Sequence, residues 1–61
     1  MIIKILSYNY TYNELTVQSG TDQYTYGGVS PYLYDRIKHH IRHHWTGRVW
    51  QILRRLELKE T

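Results

Sequence analysis

No cysteine occurs among the 61 residues, which excludes disulfides and thiolate zinc sites and leaves the redox compartment open. Phenylalanine is absent as well, and proline occurs once, as Pro31. The aromatic packing must therefore come from seven tyrosines and two tryptophans. No apolar run approaches the ~18 residues of a membrane span. The opening run, residues 1–6, is too short for a signal peptide, is interrupted by Lys4 and lacks a small-residue cleavage site. A soluble, cytoplasmic chain with no membrane partner is expected.

Sixty-one residues make a single domain, 1–61. A chain of this size buries roughly 60% of the surface its unfolded form exposes. Domains so small are usually reinforced by disulfides, metal or self-association. Histidine-bound metal and a homodimer remain open here, and the homodimer is the commoner solution.

The net charge of +3 is unevenly spread. Residues 1–30 hold one basic group (Lys4) against two acids (Glu14, Asp22). Residues 31–61 hold seven basic groups against three acids (Asp35, Glu57, Glu60), and all four histidines. Positive potential therefore belongs to the second half, where an anionic partner is drawn; a merely solvated helix face is the plainer alternative.

Residues 2–12 are rich in types that favour a pleated surface, and Tyr8, Tyr10 and Tyr12 alternate with Asn9 and Thr11. Ile2 and Ile3 break that phase, which predicts a bulge or a frayed start. Asn13-Glu14 reads as a turn. Glu14-Leu15-Thr16-Val17-Gln18 then alternates again as a strand, with Leu15 and Val17 inward and Thr16 and Gln18 outward. Ser19-Gly20-Thr21-Asp22 supplies a tight reversal, and Gln23-Tyr24-Thr25-Tyr26 closes a three-stranded antiparallel meander.

Gly27-Gly28 ends the sheet, Ser30 is placed to cap a helix, and Pro31 suits its first position. Leu33, Ile37 and Ile41 form one apolar stripe on a helix over residues 31–44. Thr46-Gly47 breaks that pattern and starts a second helix, with Val49, Ile52, Leu53 and Leu56 inward and Trp50 as an anchor. A frayed tail is expected over residues 59–61. The fold class is α+β: the meander followed by two helices packed on one face.

Tyr8-Asn9, Leu15-Thr16-Val17, Gly20, Tyr24-Thr25-Tyr26, Gly28-Val29 and Tyr34 together resemble the KTSC domain, with Thr46-Gly47 matching its later glycine step. The resemblance spans roughly residues 5–55. It implies a module of this length, found at the C-terminus of some lysyl-tRNA synthetases and as small stand-alone bacterial and phage proteins. RNA binding is the role it suggests, by association with a tRNA enzyme.

Three constellations bear on function. Exposed tyrosines on a sheet stack unpaired bases while nearby Arg and Lys meet phosphates. Tyr24 and Tyr26 share a face and are candidates for stacking, unless that face is the core with phenol oxygens at its rim; Tyr10 and Tyr12 are expected to be exposed. Arg36, Lys38, Arg42, Arg48, Arg54 and Arg55 form a phosphate-binding patch if the two helices turn one side outward together. The start of the second helix, Gly47-Arg48, is a candidate anion site. Lastly, His39/His43 and His40/His44 are one turn apart, with Asp35 a turn earlier as a third ligand. Lys38 and Arg42 beside them favour a solvated face or dimer contact over metal.

No nucleophile with a histidine–carboxylate pair and no phosphate-cradling glycine loop is present, so no enzyme and no cofactor are expected. The leading expectation is a non-catalytic nucleic-acid-binding domain, RNA favoured. A phage-encoded homodimer that blocks a host protein, with Trp45, Trp50 and exposed tyrosines as anchors, is the alternative. A third reading is a nucleotide held between subunits at Gly47-Arg48.

Overall fold

The computed structural model describes residues 2–59. Three strands run in succession, β1 (Ile3–Asn9), β2 (Glu14–Ser19) and β3 (Asp22–Gly27), followed by helices α1 (Pro31–Arg42) and α2 (Thr46–Leu53) and a short strand β4 (Glu57–Lys59). The sheet order is β1-β2-β3-β4, antiparallel throughout. The meander and its two helices match the expected fold class, and β4 adds a fourth strand to it.

The phase break in β1 is a bulge. The register shifts between Ile5 and Ser7, so Ile3, Ile5 and Tyr8 oppose the inward-facing Ser19, Val17 and Leu15. Strict alternation would have put Tyr8 on the other face from Ile5. The strand stops at Asn9, earlier than the tyrosine alternation predicts. Asn9 Oδ1 accepts hydrogen bonds from the backbone N–H of Thr11 at 2.9 Å and Tyr12 at 3.3 Å. That pulls residues 10–13 into a turn, closed by Asn13 in the left-handed region at φ 54°. Glu14 therefore starts β2 rather than ending the turn.

Leu15 and Val17 are fully buried, as their alternation requires, and Thr16 and Thr25 join their hydroxyls across the outer face at 3.1 Å. The core between sheet and helices comprises these two residues with Ile3, Tyr26, Val29, Ile37, Val49 and Leu53. Each buried aliphatic side chain contributes about 1.5–3 kcal/mol relative to exposure. Tyr8 ties the layers together. Its ring stacks on Tyr34 of α1 at 4.2 Å, and its hydroxyl donates to the Val29 carbonyl at 2.6 Å. Burial, then Tyr10, Tyr34 and Asp35, raise the Tyr8 phenol above its ordinary range.

Gly28, at φ 74°, makes the turn from sheet to helix. The Leu33 N–H donates to Ser30 Oγ at 3.2 Å, and Pro31 occupies the first position of α1. That helix ends at Arg42 rather than residue 44, because His44 adopts a left-handed φ of 60°. The break thus precedes Thr46-Gly47. At the other end, Leu58 pairs with Tyr26 and Lys59 with Thr25. Lys59, expected to fray, is a strand residue, while residues 60 and 61 lie outside the described region. No helix among the described residues is long and apolar enough to cross a membrane.

Candidate nucleic-acid interface

Residues 50–56 carry the most suggestive surface. Beyond Leu53 the chain continues to turn helically, with the N–H of Arg54, Arg55 and Leu56 donating to the carbonyls of Trp50, Ile52 and Leu53. Successive side chains on such a turn are about 100° apart, so Arg54 and Arg55 fall on different sides of Leu56. Arg54 shares a groove of about 310 Å³ with Tyr26, Trp50, Leu53, Leu56 and Leu58. Arg55 shares a second groove, about 290 Å³, with Leu33, Arg36, Gln51, Ile52 and Leu56. Leu56 lines both, so the grooves adjoin.

The six candidate cations are not one patch. Arg54, Arg55 and Arg36 converge on these adjoining grooves, and among the described residues no carboxylate pairs with any of them. The Arg36 guanidinium also lies 6.0 Å from the Tyr32 ring centroid. Lys38 and Arg42 lie on the other side of α1, next to β1. There Lys38 pairs with Asp35 at 3.3 Å and lies 4.6 Å from the centre of the Tyr34 ring. Arg48 places its guanidinium 5.1 Å over the Trp45 ring.

The tyrosine pair divides. Tyr26 is 7% exposed and belongs to the core, so its ring face is not open to a base, which corrects the stacking role offered to it. Burial, then Tyr24, push its phenol above the usual range. Tyr24 is half-buried and meets Trp50 edge-on at 6.4 Å. Trp50 supplies the aromatic wall instead. Its spacing one turn before Arg54 was the available signal, masked because a tryptophan on an apolar stripe reads as an anchor. The spacing marks Leu56 only as part of the inward stripe and gives Gln51 no site role. Tyr10 and Tyr12 are exposed, as expected, and lie in the turn after β1.

At the start of α2, Gly47 has open space around it, but no side chain caps this helix and the Arg48 guanidinium is already seated on Trp45. The histidines are divided too. His39 and His43 approach to 4.4 Å between ring centroids. His40 is buried with Nδ1 unpartnered, and His44 lies beyond the end of α1. Asp35, the candidate third ligand, is held by Lys38. Among the described residues no three His, Asp or Glu side chains are grouped to hold a metal. His39, His40 and His43 instead pack beside Trp45, with centroids at 5.8, 5.4 and 5.3 Å, and leave that ring 43% exposed.

Comparison with protein-family models, curated proteins and solved structures gives no match for this chain. The KTSC resemblance rests on the residues that carry it.

Proposed function

We propose that this protein is a non-catalytic single-strand binder, with RNA as its ligand, acting through the two grooves that meet at Leu56. The observation that carries the reading is their composition: three guanidiniums that pair with no carboxylate among the described residues, Arg54 beside Trp50, and an aliphatic floor. Arg54 holds one phosphate, and Arg55 with Arg36 holds the next. An unpaired base packs on Trp50, a contact worth about 1–3 kcal/mol. In a duplex, paired and stacked bases do not offer their faces to such a wall. Gln51, which lines the second groove with Arg36 and Arg55, supplies an amide for a 2′-hydroxyl, the group that separates RNA from DNA. The KTSC resemblance points to the same ligand, and such a ligand places the protein in the cytoplasm.

Fluorescence anisotropy of labelled single-stranded RNA, tRNA and duplex DNA, at low and physiological salt, tests this. Single-stranded RNA is expected to bind tightest, with affinity falling steeply as salt rises. Arg54→Ala and Arg55→Ala each reduce the salt slope by about 1 while leaving the fold intact. Absence of binding at low salt rejects the proposal.

Of the two other readings, one keeps some support. Tyr10, Tyr12 and Tyr32 are each about 70% exposed, which suits the anchors of a host-protein interface or homodimer. A nucleotide at Gly47-Arg48 is disfavoured by the contact of Arg48 with Trp45.

A further inference from the structure

Across α1 from these grooves, the start of β1 and the last turns of α1 enclose an open hollow of about 470 Å³. Residues 2–5 line it together with Lys38, Ile41 and Arg42. Position 38 is about 200° around the helix from position 36, so this surface is separate from the Arg36 groove. The hollow's floor is aliphatic: Ile3 is buried, Ile5 and Ile41 are half-buried, and Ile2 is 85% exposed. Its rim is cationic, with Lys38 and Arg42 on the helix side and Lys4, paired with the outward Gln18, on the outer side of the edge, and among the described residues Asp35 offsets only Lys38. β1 is also an edge strand, paired among the described residues with β2 alone. One row of its backbone groups is therefore free to pair.

We propose that this edge captures an extended, acidic and hydrophobic peptide segment, which adds to β1 as a further strand. Its alternate apolar side chains enter the hollow, its carboxylates lie along the outer face beside Lys4, and the positive field of Lys38 and Arg42 at the hollow's rim adds to their attraction. Strand addition draws affinity from main-chain hydrogen bonds and specificity from pockets for alternate side chains; both are present here. The charge selects the partner. A lysine and a bulge on an edge strand discourage pairing with a like strand, and a second copy would bring six cations together. An acidic strand turns the same three side chains into attraction. A phosphate backbone would meet the cations but leave Ile2 and Ile41 in water.

The probe is a labelled eight-residue peptide alternating valine with glutamate, titrated into the full chain. It is expected to bind at least tenfold tighter than three controls: serine with glutamate, valine with lysine, and the original peptide N-methylated at alternate amides. Backbone amides of residues 3–5 gain hydrogen-exchange protection in the complex. Lys4→Glu and Arg42→Glu, both at exposed positions, each weaken binding at least fivefold without changing the circular dichroism spectrum. Equal binding of the N-methylated peptide overturns strand addition, and equal binding of the serine peptide overturns the role of the hollow. A doubled mass without peptide that Ile2→Ser abolishes assigns the face to a second copy instead. Stronger capture by phosphatidylserine vesicles than by peptide, lost in the same variants, assigns it to a membrane surface. RNA titrations do not enter this test, so it stands or falls apart from the groove proposal.

Discussion

Each end of α2 pairs a tryptophan with an arginine, and the two corners are built to opposite effect. At the first, His39, His40 and His43 lie beside Trp45, which stays 43% exposed, and Arg48 rests on its ring at 5.1 Å. At the second, Trp50 meets Tyr24 edge-on, and Arg54 stands in the same groove with no ion-pair partner among the described residues. A guanidinium on an aromatic face already has a favourable contact, so at the first corner the charge is engaged even though the ring is partly exposed. At the second, ring and charge line one groove, and among the described residues the charge has no such contact. The same two residue types thus make an engaged pair or a site according to what already touches the charge.

The largest expected effect separates the two tryptophans. Trp50→Leu keeps apolar bulk in the core-facing position and should weaken single-stranded RNA binding about tenfold or more, within the ~1–3 kcal/mol of a stacked base. Trp45→Leu should leave affinity within about twofold. Anisotropy titrations matched for folded fraction decide it. A greater loss at Trp45 would reverse the assignment of engaged pair and site.

A pH titration sharpens the contrast at the Trp45 corner. His40 is buried against Trp45, and its pKa lies below the ordinary 6.5 through that burial, then through Arg36, Arg48, His39 and His43. The unfolded chain therefore takes up a proton near pH 6.5 that the folded protein resists. Stability is fully present above that pH and is lost as pH falls toward the folded-state pKa. Thermal melts should show Tm falling on acidification through this window. His40→Leu should remove that part of the fall, and a melt as pH-dependent as the parent's would show that another group carries it.

Much of this fold was legible because strand and helix periods are written in a few residues. Leu15/Val17, the Gly20-Thr21 reversal, the Ser30-Pro31 start and the Leu33/Ile37/Ile41 stripe each fix one element. What stayed hidden depends on contacts distant in sequence or on single backbone angles. The left-handed turn at His44 broke the His40/His44 spacing. β4 is three exposed residues without alternation, defined only by pairing with β3. The candidate site was legible as a list of arginines but not as a place. Which three share grooves with Trp50 and Leu56 follows from how α2 seats against α1 and β3.

The smallest effect concerns the strap that bounds the open corner. Leu58 walls the Trp50 groove, and the next residue, Lys59, reaches Glu14 of β2 at 3.6 Å. Since β3 lies between these strands, the side chain passes over Gly27, where an added Cβ would collide with Lys59 Cε. Gly27 therefore provides the passage for this ion pair. Both partners keep solvent access, at 44% and 29% of their side chains, so the pair contributes no more than about 1 kcal/mol. Lys59→Ala and Gly27→Ala should each lower Tm slightly, and together by less than the sum, because each removes the same contact. RNA affinity should change by less than about threefold, since Trp50 and Arg54 are anchored by α2 and not by β4. A tenfold loss would mean that β4, rather than the helical turn after Leu53, shapes the groove.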